Sequence, residues 1–172
     1  MTDEFGKPLL FAGPGILRLH SGKYINILDL KPGNISIEDI AHNLSHECRF
    51  SGATKKFFSV AEHALMCSYL VPEDEAFDAL NHDDSEALLR DIPSPIKPLL
   101  TNYKEIEDYI MNFLAGDLGF KYPKSEAVDK ADRDMLQYEW DYIVIAEKIT
   151  PLSPEMAKAK FLERYYELKQ KI

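Results

Sequence analysis

Asn81-His82-Asp83-Asp84-Ser85-Glu86 is the stretch on which the reading of this chain turns. It sits inside an amphipathic pattern that predicts a helix over roughly residues 73–90. Four potentially ligating side chains in six residues are dense for a helix that packs on a core. Successive helical residues point about 100° apart, so His82 and Asp83 are able to flank one cation lying beside the helix. Glu86, four residues after His82, falls on the same face one turn on, within reach of a water at that cation.

A His-Asp pair fills two coordination positions, and the rest must come from elsewhere in the chain. His63 is the leading candidate, mid-helix behind an S-x-x-E capping box made by Ser59 and Glu62. Asp132, in Lys130-Ala131-Asp132-Arg133-Asp134, is the carboxylate candidate on a later helix beside Val128, Ala131, Met135 and Leu136. Two imidazoles with two carboxylates suit Mn, Co, Fe, Ni or Zn better than calcium, which prefers oxygen alone. Against this, a single helical histidine is ordinarily a surface or satisfied core residue, and His20, His42 and His46 read that way. Asp132 by itself reads equally as a solvated carboxylate, so spacing alone leaves both readings open.

Around these residues the chain reads as one helical domain of 172 residues. Residues 15–29 predict a β-hairpin, with Ile16, Leu17 and Leu19 before His20-Ser21-Gly22-Lys23 and Tyr24, Ile25, Ile27 and Leu28 after it. Ser36 caps a helix to about Cys48, and Ser59 opens the next. After the stretch at 73–90, Pro93, Pro95 and Pro98 punctuate the chain. A helix over 103–118 ends near Gly119, Ser125 caps one reaching about Lys148, and Ser153-Pro154 opens the last. The expected organisation is a hairpin extension (1–34), a helical core (35–148) and a C-terminal helix (149–172). In that last helix Phe161, Leu162, Tyr165, Tyr166 and Leu168 serve either a homo-oligomer interface or the core.

Apolar residues make up 45% and charged residues 28%, a globular balance. A net charge of −9 argues against backbone-driven nucleic-acid binding, which needs a basic surface. No apolar run approaches the roughly 20 residues of a membrane span, and the N-terminus lacks the pattern of a signal peptide. Cys48 and Cys67 have no metal-type spacing, and a cytoplasmic protein with reduced thiols is expected.

The order His63, then His82-Asp83, then Asp132 resembles the H…HD…D signature of HD-domain phosphohydrolases. Further segments resemble the HD 5′-deoxynucleotidases and their phage-encoded relatives: Arg49-Phe50, Phe58-Ser59-Val60-Ala61-Glu62-His63, His82 to Ala87, and Asp91-Ile92-Pro93-Ser94-Pro95-Ile96-Lys97. The likeness runs from about Ile35 to Glu139. It implies an HD-domain helical bundle in which His63, His82, Asp83 and Asp132 hold a divalent metal cation (Mn, Co, Zn, Ni, Fe or Mg, a transition metal favoured). It implies that Glu86 orients or deprotonates the attacking water, that Arg49 meets the phosphate, and that Phe50 packs on sugar or base. Asp91 would bind a sugar hydroxyl, and Lys97, in the same matched segment, an outer phosphate. Lys55, Lys56 and Arg90 read as nucleotide-side cations or as solvated surface charges. Three positions depart from the pattern: Asn81 for an apolar residue, Asp84 for a small one, and Phe50 where some relatives carry tryptophan. Asp84 either stands beside the metal, shifting metal preference or repelling a more anionic substrate, or faces solvent, the favoured expectation.

The function implied is hydrolysis of a deoxynucleotide to its nucleoside. The short chain is similar to the phage-type members, which points to a triphosphate, dATP favoured, cleaved to deoxynucleoside and triphosphate in the cytoplasm, the host's if phage-encoded. A 5′-deoxynucleotidase acting on monophosphates, an HD enzyme cleaving a signalling nucleotide, and a non-catalytic nucleotide-sensing module are the alternatives. The last is distinguished by tolerance to loss of Glu86.

Overall fold

The computed structural model describes residues 1–172 except 3, 5 and 11, which lie within the N-terminal extension. About half of the chain is helical, in a mainly α fold with one small antiparallel hairpin at the N-terminal end. Strands β1 (Ile16–Arg18) and β2 (Tyr24–Asn26) pair in the register Ile16 with Asn26, Leu17 with Ile25 and Arg18 with Tyr24. Gly22 takes φ 88° in the turn, a conformation that costs a residue without Cβ nothing. The turn is tied to the helical body by the Ser21 N–H, which donates to Asp39 Oδ1 at 2.7 Å.

Helix α1 (Ile37–His46) starts at Ser36, whose hydroxyl accepts from the Asp39 N–H while Asp39 reaches back, a full capping box. Its apolar face carries Ile37, Ile40, Ala41 and Leu44 into the core. Helix α2 (Val60–Cys67) starts at Ser59 as expected, but only half of its predicted box forms. Ser59 Oγ accepts from the Glu62 N–H, whereas the Glu62 carboxylate accepts from the Leu152 N–H at 2.8 Å and anchors the loop before the last helix.

The helix predicted over 73–90 is broken. After one 3-10 turn at Glu73–Glu75 come a short α3 (Ala76–Leu80), a run of tight turns at 81–85, and a one-turn α4 (Glu86–Leu89). The cause is local. Asn81 Nδ2 donates back to the Phe77 carbonyl at 2.7 Å, and backbone bonds from Asp84 to Asn81 and from Glu86 to Asp83 close i→i+3 turns in place of α-helical ones. The His82-Asp83 pair therefore sits at a corner between two helical pieces, not on a continuous helix face.

Helix α5 (Tyr103–Leu118) ends at Gly119 in the left-handed region, and α6 (Glu126–Glu139) is capped by Ser125, both as predicted. The expected extension of α6 to Lys148 does not hold as α-helix. After Glu139 the chain widens into π-type turns over Trp140–Ile145. Helix α7 (Pro154–Lys169) packs across α1, α2 and α3 and closes the core. Phe161, Tyr165 and Leu168 are buried within the single chain, so the core reading of this helix holds for them, while Tyr166 stays exposed. Among the described residues, no helix is long and apolar enough to cross a membrane.

Candidate functional site

Three elements bring the chemistry together. Helix α2 carries His63, the 81–85 corner carries His82 and Asp83, and α6 carries Asp132. His63 and His82 are buried with their rings 5.2 Å apart. Their Nε2 atoms face one another at 3.3 Å. His63 Nε2 lies 3.6 Å from Asp83 Oδ2 and 3.3 Å from Asp132 Oδ1, and His82 Nε2 lies 3.2 Å and 3.8 Å from the same two oxygens. Bonds of about 2.0–2.2 Å to a tetrahedral ion would separate its donors by about 3.3–3.6 Å.

The outer nitrogens fix the tautomers. His63 Nδ1 donates to Glu139 Oε1 at 2.6 Å, and His82 Nδ1 donates to the Ala79 carbonyl at 2.7 Å. Both Nε2 lone pairs are then aimed at one point, which requires a proton or a cation between them. Without a cation, burial works against a charged His82, but Asp83 and Asp132 outweigh it and push the imidazole up to about 10. Burial and Arg49 likewise oppose a charged His63, yet Glu139, Cys67 and Asp132 lift it well above its ordinary value. Burial would raise Asp83 and Asp132, but the two imidazoles hold both carboxyls well below the usual range. The group thus binds positive charge. His63, Cys67 and His82 form a buried set able to hold a metal ion. Cys67 Sγ stands 3.6 Å from His63 Nε2, a soft donor beside the two imidazoles.

A cavity of about 970 Å³ opens over this group, within the range of small-molecule sites. Asp83 and Asp132 line its floor, with Glu86, Asp91, Arg49, Phe50 and Lys97 around it, so the structure gathers these sequence candidates at one place. Glu86 is buried with Oε2 lacking a partner among the described residues; burial first, then Asp83 and Asp91, raise its carboxyl well above the ordinary value. Lys97 pairs with Glu107 at 2.8 Å and stands 3.8 Å from Glu86. Arg49 is buried against Glu139, its Nε and Nη2 both 2.9 Å from Oε2. Lys55, Lys56 and Arg90 lie outside the cavity: Lys55 pairs with Glu147, Lys56 donates to Thr150, and Arg90 pairs with Glu47.

Asp84 corrects an expectation. It does not face solvent but is fully buried, with neither carboxylate oxygen hydrogen-bonded among the described residues. The tight turns at 81–85 rotate it inward, away from the cavity lining, and burial raises its carboxyl well above the ordinary value.

Sequence reasoning missed five participants, Cys67 beside the two imidazoles among them. Glu139 joins Arg49 and His63 across 90 and 76 residues of chain, and no local pattern marks such a pairing. Lys124 bonds Asp132 at 2.5 Å from just before the α6 cap. Arg133 and Trp140 line the cavity from α6 and the turn after it. For Arg133 and Trp140 the α6 periodicity, followed about two turns beyond Asp132, was the available signal, whereas Lys124 precedes the helix cap and carries no such mark.

No protein-family model matches the chain. Two curated proteins are similar to it. One is an uncharacterized protein of Rhodobacter capsulatus, 37% identical over 101 residues, which cover 53% of this chain and 52% of that protein. The other is the uncharacterized protein YfdR of Escherichia coli K12, 37% identical over 170 residues that cover 90% of this chain and 96% of that protein. With identity at that level over nearly both full lengths, the chain belongs to the family of YfdR.

Proposed function

We propose that this protein is a metal-dependent phosphohydrolase of the HD-domain kind, acting on a nucleotide. The observation that carries the reading is the convergence of His63 Nε2, His82 Nε2, Asp83 Oδ2 and Asp132 Oδ1 at the floor of a cavity that also holds Glu86, Arg49 and Lys97. A divalent transition metal held by His63, His82, Asp83 and Asp132 would supply Lewis acidity toward water and a phosphoryl oxygen.

The chain's own groups supply the rest. Glu86, with one oxygen unpartnered among the described residues, takes or steers the proton of the attacking water. Arg49 presents a guanidinium to the phosphate nearest the sugar, held in place by Glu139. Asp91 accepts from a sugar hydroxyl, and Phe50 packs on sugar or base. Lys97, Lys124 and Arg133 line the same cavity and can take outer phosphates, which supports a triphosphate substrate. The reaction is deoxynucleoside triphosphate to deoxynucleoside and triphosphate, dATP foremost, in the cytoplasm where such nucleotides are made.

The test is incubation of the protein with Mn²⁺, Co²⁺, Zn²⁺ or Mg²⁺ and a panel of deoxy- and ribonucleoside mono-, di- and triphosphates, with products separated by ion-pair chromatography. Nucleoside plus intact triphosphate is the expected result. Turnover of monophosphates alone would make it a 5′-deoxynucleotidase. Absence of turnover with every metal, alongside retained nucleotide binding, would make it a sensing module.

A further inference from the structure

Trp140 is the only tryptophan in the chain and is about half exposed at the edge of the cavity. It belongs to a stripe. Asp132, Arg133, Leu136, Gln137 and Trp140 all line the cavity, the i, i+4, i+8 face of α6 carried one residue beyond the helix. At 1.5 Å per residue, Trp140 stands about 12 Å along the axis from Asp132. That is the scale on which a nucleotide separates its phosphate from the outer edge of its base.

Facing Trp140 across the mouth is Phe50, with ring centroids 6.1 Å apart and planes inclined by 48°. The two rings form an open wedge, not a closed stack. Phe50 is held there at a conformational cost: φ is 54°, in the left-handed region that bulky side chains avoid, and Ser51 follows at 53°. Backbone bonds hold the turn in that shape, from Arg49 N–H to the Phe58 carbonyl, from Gly52 N–H to Arg49 and from Ala53 N–H to Phe50. Strain of this kind persists where the surroundings enforce it, and it clusters at active sites, ligand clamps and switch regions. Arg49 at the inner end lies 5.5 Å from the Phe50 ring centre, so one turn delivers a phosphate contact and an aromatic face together.

We infer that Trp140 and Phe50 form the nucleobase subsite, with Trp140 as the principal stacking platform and Leu136 flooring the slot. This rests on the nucleotide reading above and deepens it: the ligand class is a nucleoside phosphate with an intact base. Recognition by stacking tolerates any base, because every base has a π-face.

The single tryptophan makes the proposal directly observable. In EDTA, where no turnover competes, dATP and dAMP should quench the protein's intrinsic tryptophan emission saturably. Inorganic triphosphate and 2-deoxyribose 5-phosphate, which lack a base, should leave it unchanged. In steady-state assays Trp140→Ala should raise the dATP KM roughly 5- to 150-fold, the loss expected for one stacked base. Trp140→Phe should restore most of it, and inhibition of dATP hydrolysis by base-free inorganic triphosphate should not respond to either substitution. Equal quenching by base-free phosphates, or an unchanged dATP KM in Trp140→Ala, would overturn the slot even if the enzyme hydrolyses nucleotides. Base-dependent quenching in a protein that turns over nothing would support the slot and remove the hydrolase reading instead.

Discussion

Glu139→Gln is the substitution that probes the site most sharply while leaving every proposed ligand intact. Glu139 is fully buried on α6, with one oxygen accepting from Arg49 Nε and ion-paired with Nη2, and the other accepting from His63 Nδ1. Glutamine keeps the volume, so no cavity opens, but it removes the charge that compensates the buried Arg49 guanidinium. Breaking a buried pair from one side costs roughly 3–5 kcal/mol. For a chain of this size about 2–4 °C is lost per kcal/mol, so the metal-free variant should melt about 6–20 °C below wild type. The second effect is on metal affinity. Losing the carboxylate behind His63 frees its tautomer and ring orientation, which typically weakens metal binding 10- to 100-fold. Differential scanning fluorimetry in EDTA reads the first quantity, and Zn²⁺ titration against a chelating indicator reads the second. Lys55→Met, which breaks the exposed pair with Glu147, serves as a control and should change neither. A Glu139→Gln protein that melts within about 2 °C of wild type and binds Zn²⁺ normally would refute the role assigned to this carboxylate.

Other outcomes follow from the same geometry. Asp83→Ala should abolish both metal binding and turnover, whereas Glu86→Gln should bind metal normally and turn over about 10² to 10⁴-fold more slowly; equal metal loss in the two variants would undo the separation of their roles. Asp84, lifted by burial, holds its proton more tightly folded than unfolded, so its contribution to stability is present below the ordinary carboxyl range and is lost as pH rises through the raised folded value. Metal-free wild type should therefore lose melting temperature from about pH 4 upward, and Asp84→Asn should flatten that slope, with Glu86 maintaining part of it. Identical slopes for the two proteins between pH 5 and 8 would contradict this. A divalent metal at 100 times its Kd should add about 2.7 kcal/mol of stability, or roughly 5–11 °C; a melting temperature indifferent to Mn²⁺, Co²⁺ and Zn²⁺ alike would count against the metal centre.

The parts of the fold legible in the sequence are those fixed by local chemistry. Gly22 in the hairpin turn, serine caps at 36, 59, 125 and 153, and Gly119 at the end of α5 each act within four residues, and each element begins or ends where they place it. The failures share a different cause. Apolar periodicity continued through 73–90, yet the Asn81 side chain shares the Phe77 carbonyl with its own N–H and the backbone after it closes i→i+3 turns. Periodicity likewise ran past Glu139, where the chain changes pitch. At the candidate site, residue types and order were readable at His63, His82, Asp83 and Asp132. Glu139 was not, because a buried carboxylate that answers two partners 76 and 90 residues away leaves no pattern in its own neighbourhood.

The broken helix bears on function directly. On a continuous α-helix, His82 and Asp83 would diverge by about 100° around the axis and reach an ion beside it from two sides. The turns at 81–85 instead bring His82 Nε2 within 3.2 Å of Asp83 Oδ2, and start α4 at Glu86 with its side chain at the same cavity. They also bury Asp84, the unfavourable element of the same corner. The corner trades helical hydrogen bonding and the solvation of one carboxylate for convergence of adjacent side chains. Local structure that contradicts an otherwise consistent helical pattern is expected where a site is built. The same logic applies to Phe50, whose left-handed backbone sits at the opposite side of the cavity, one residue from Arg49. One wall thus carries a left-handed backbone and the other a buried carboxylate, and Glu139 links the two through Arg49 and His63.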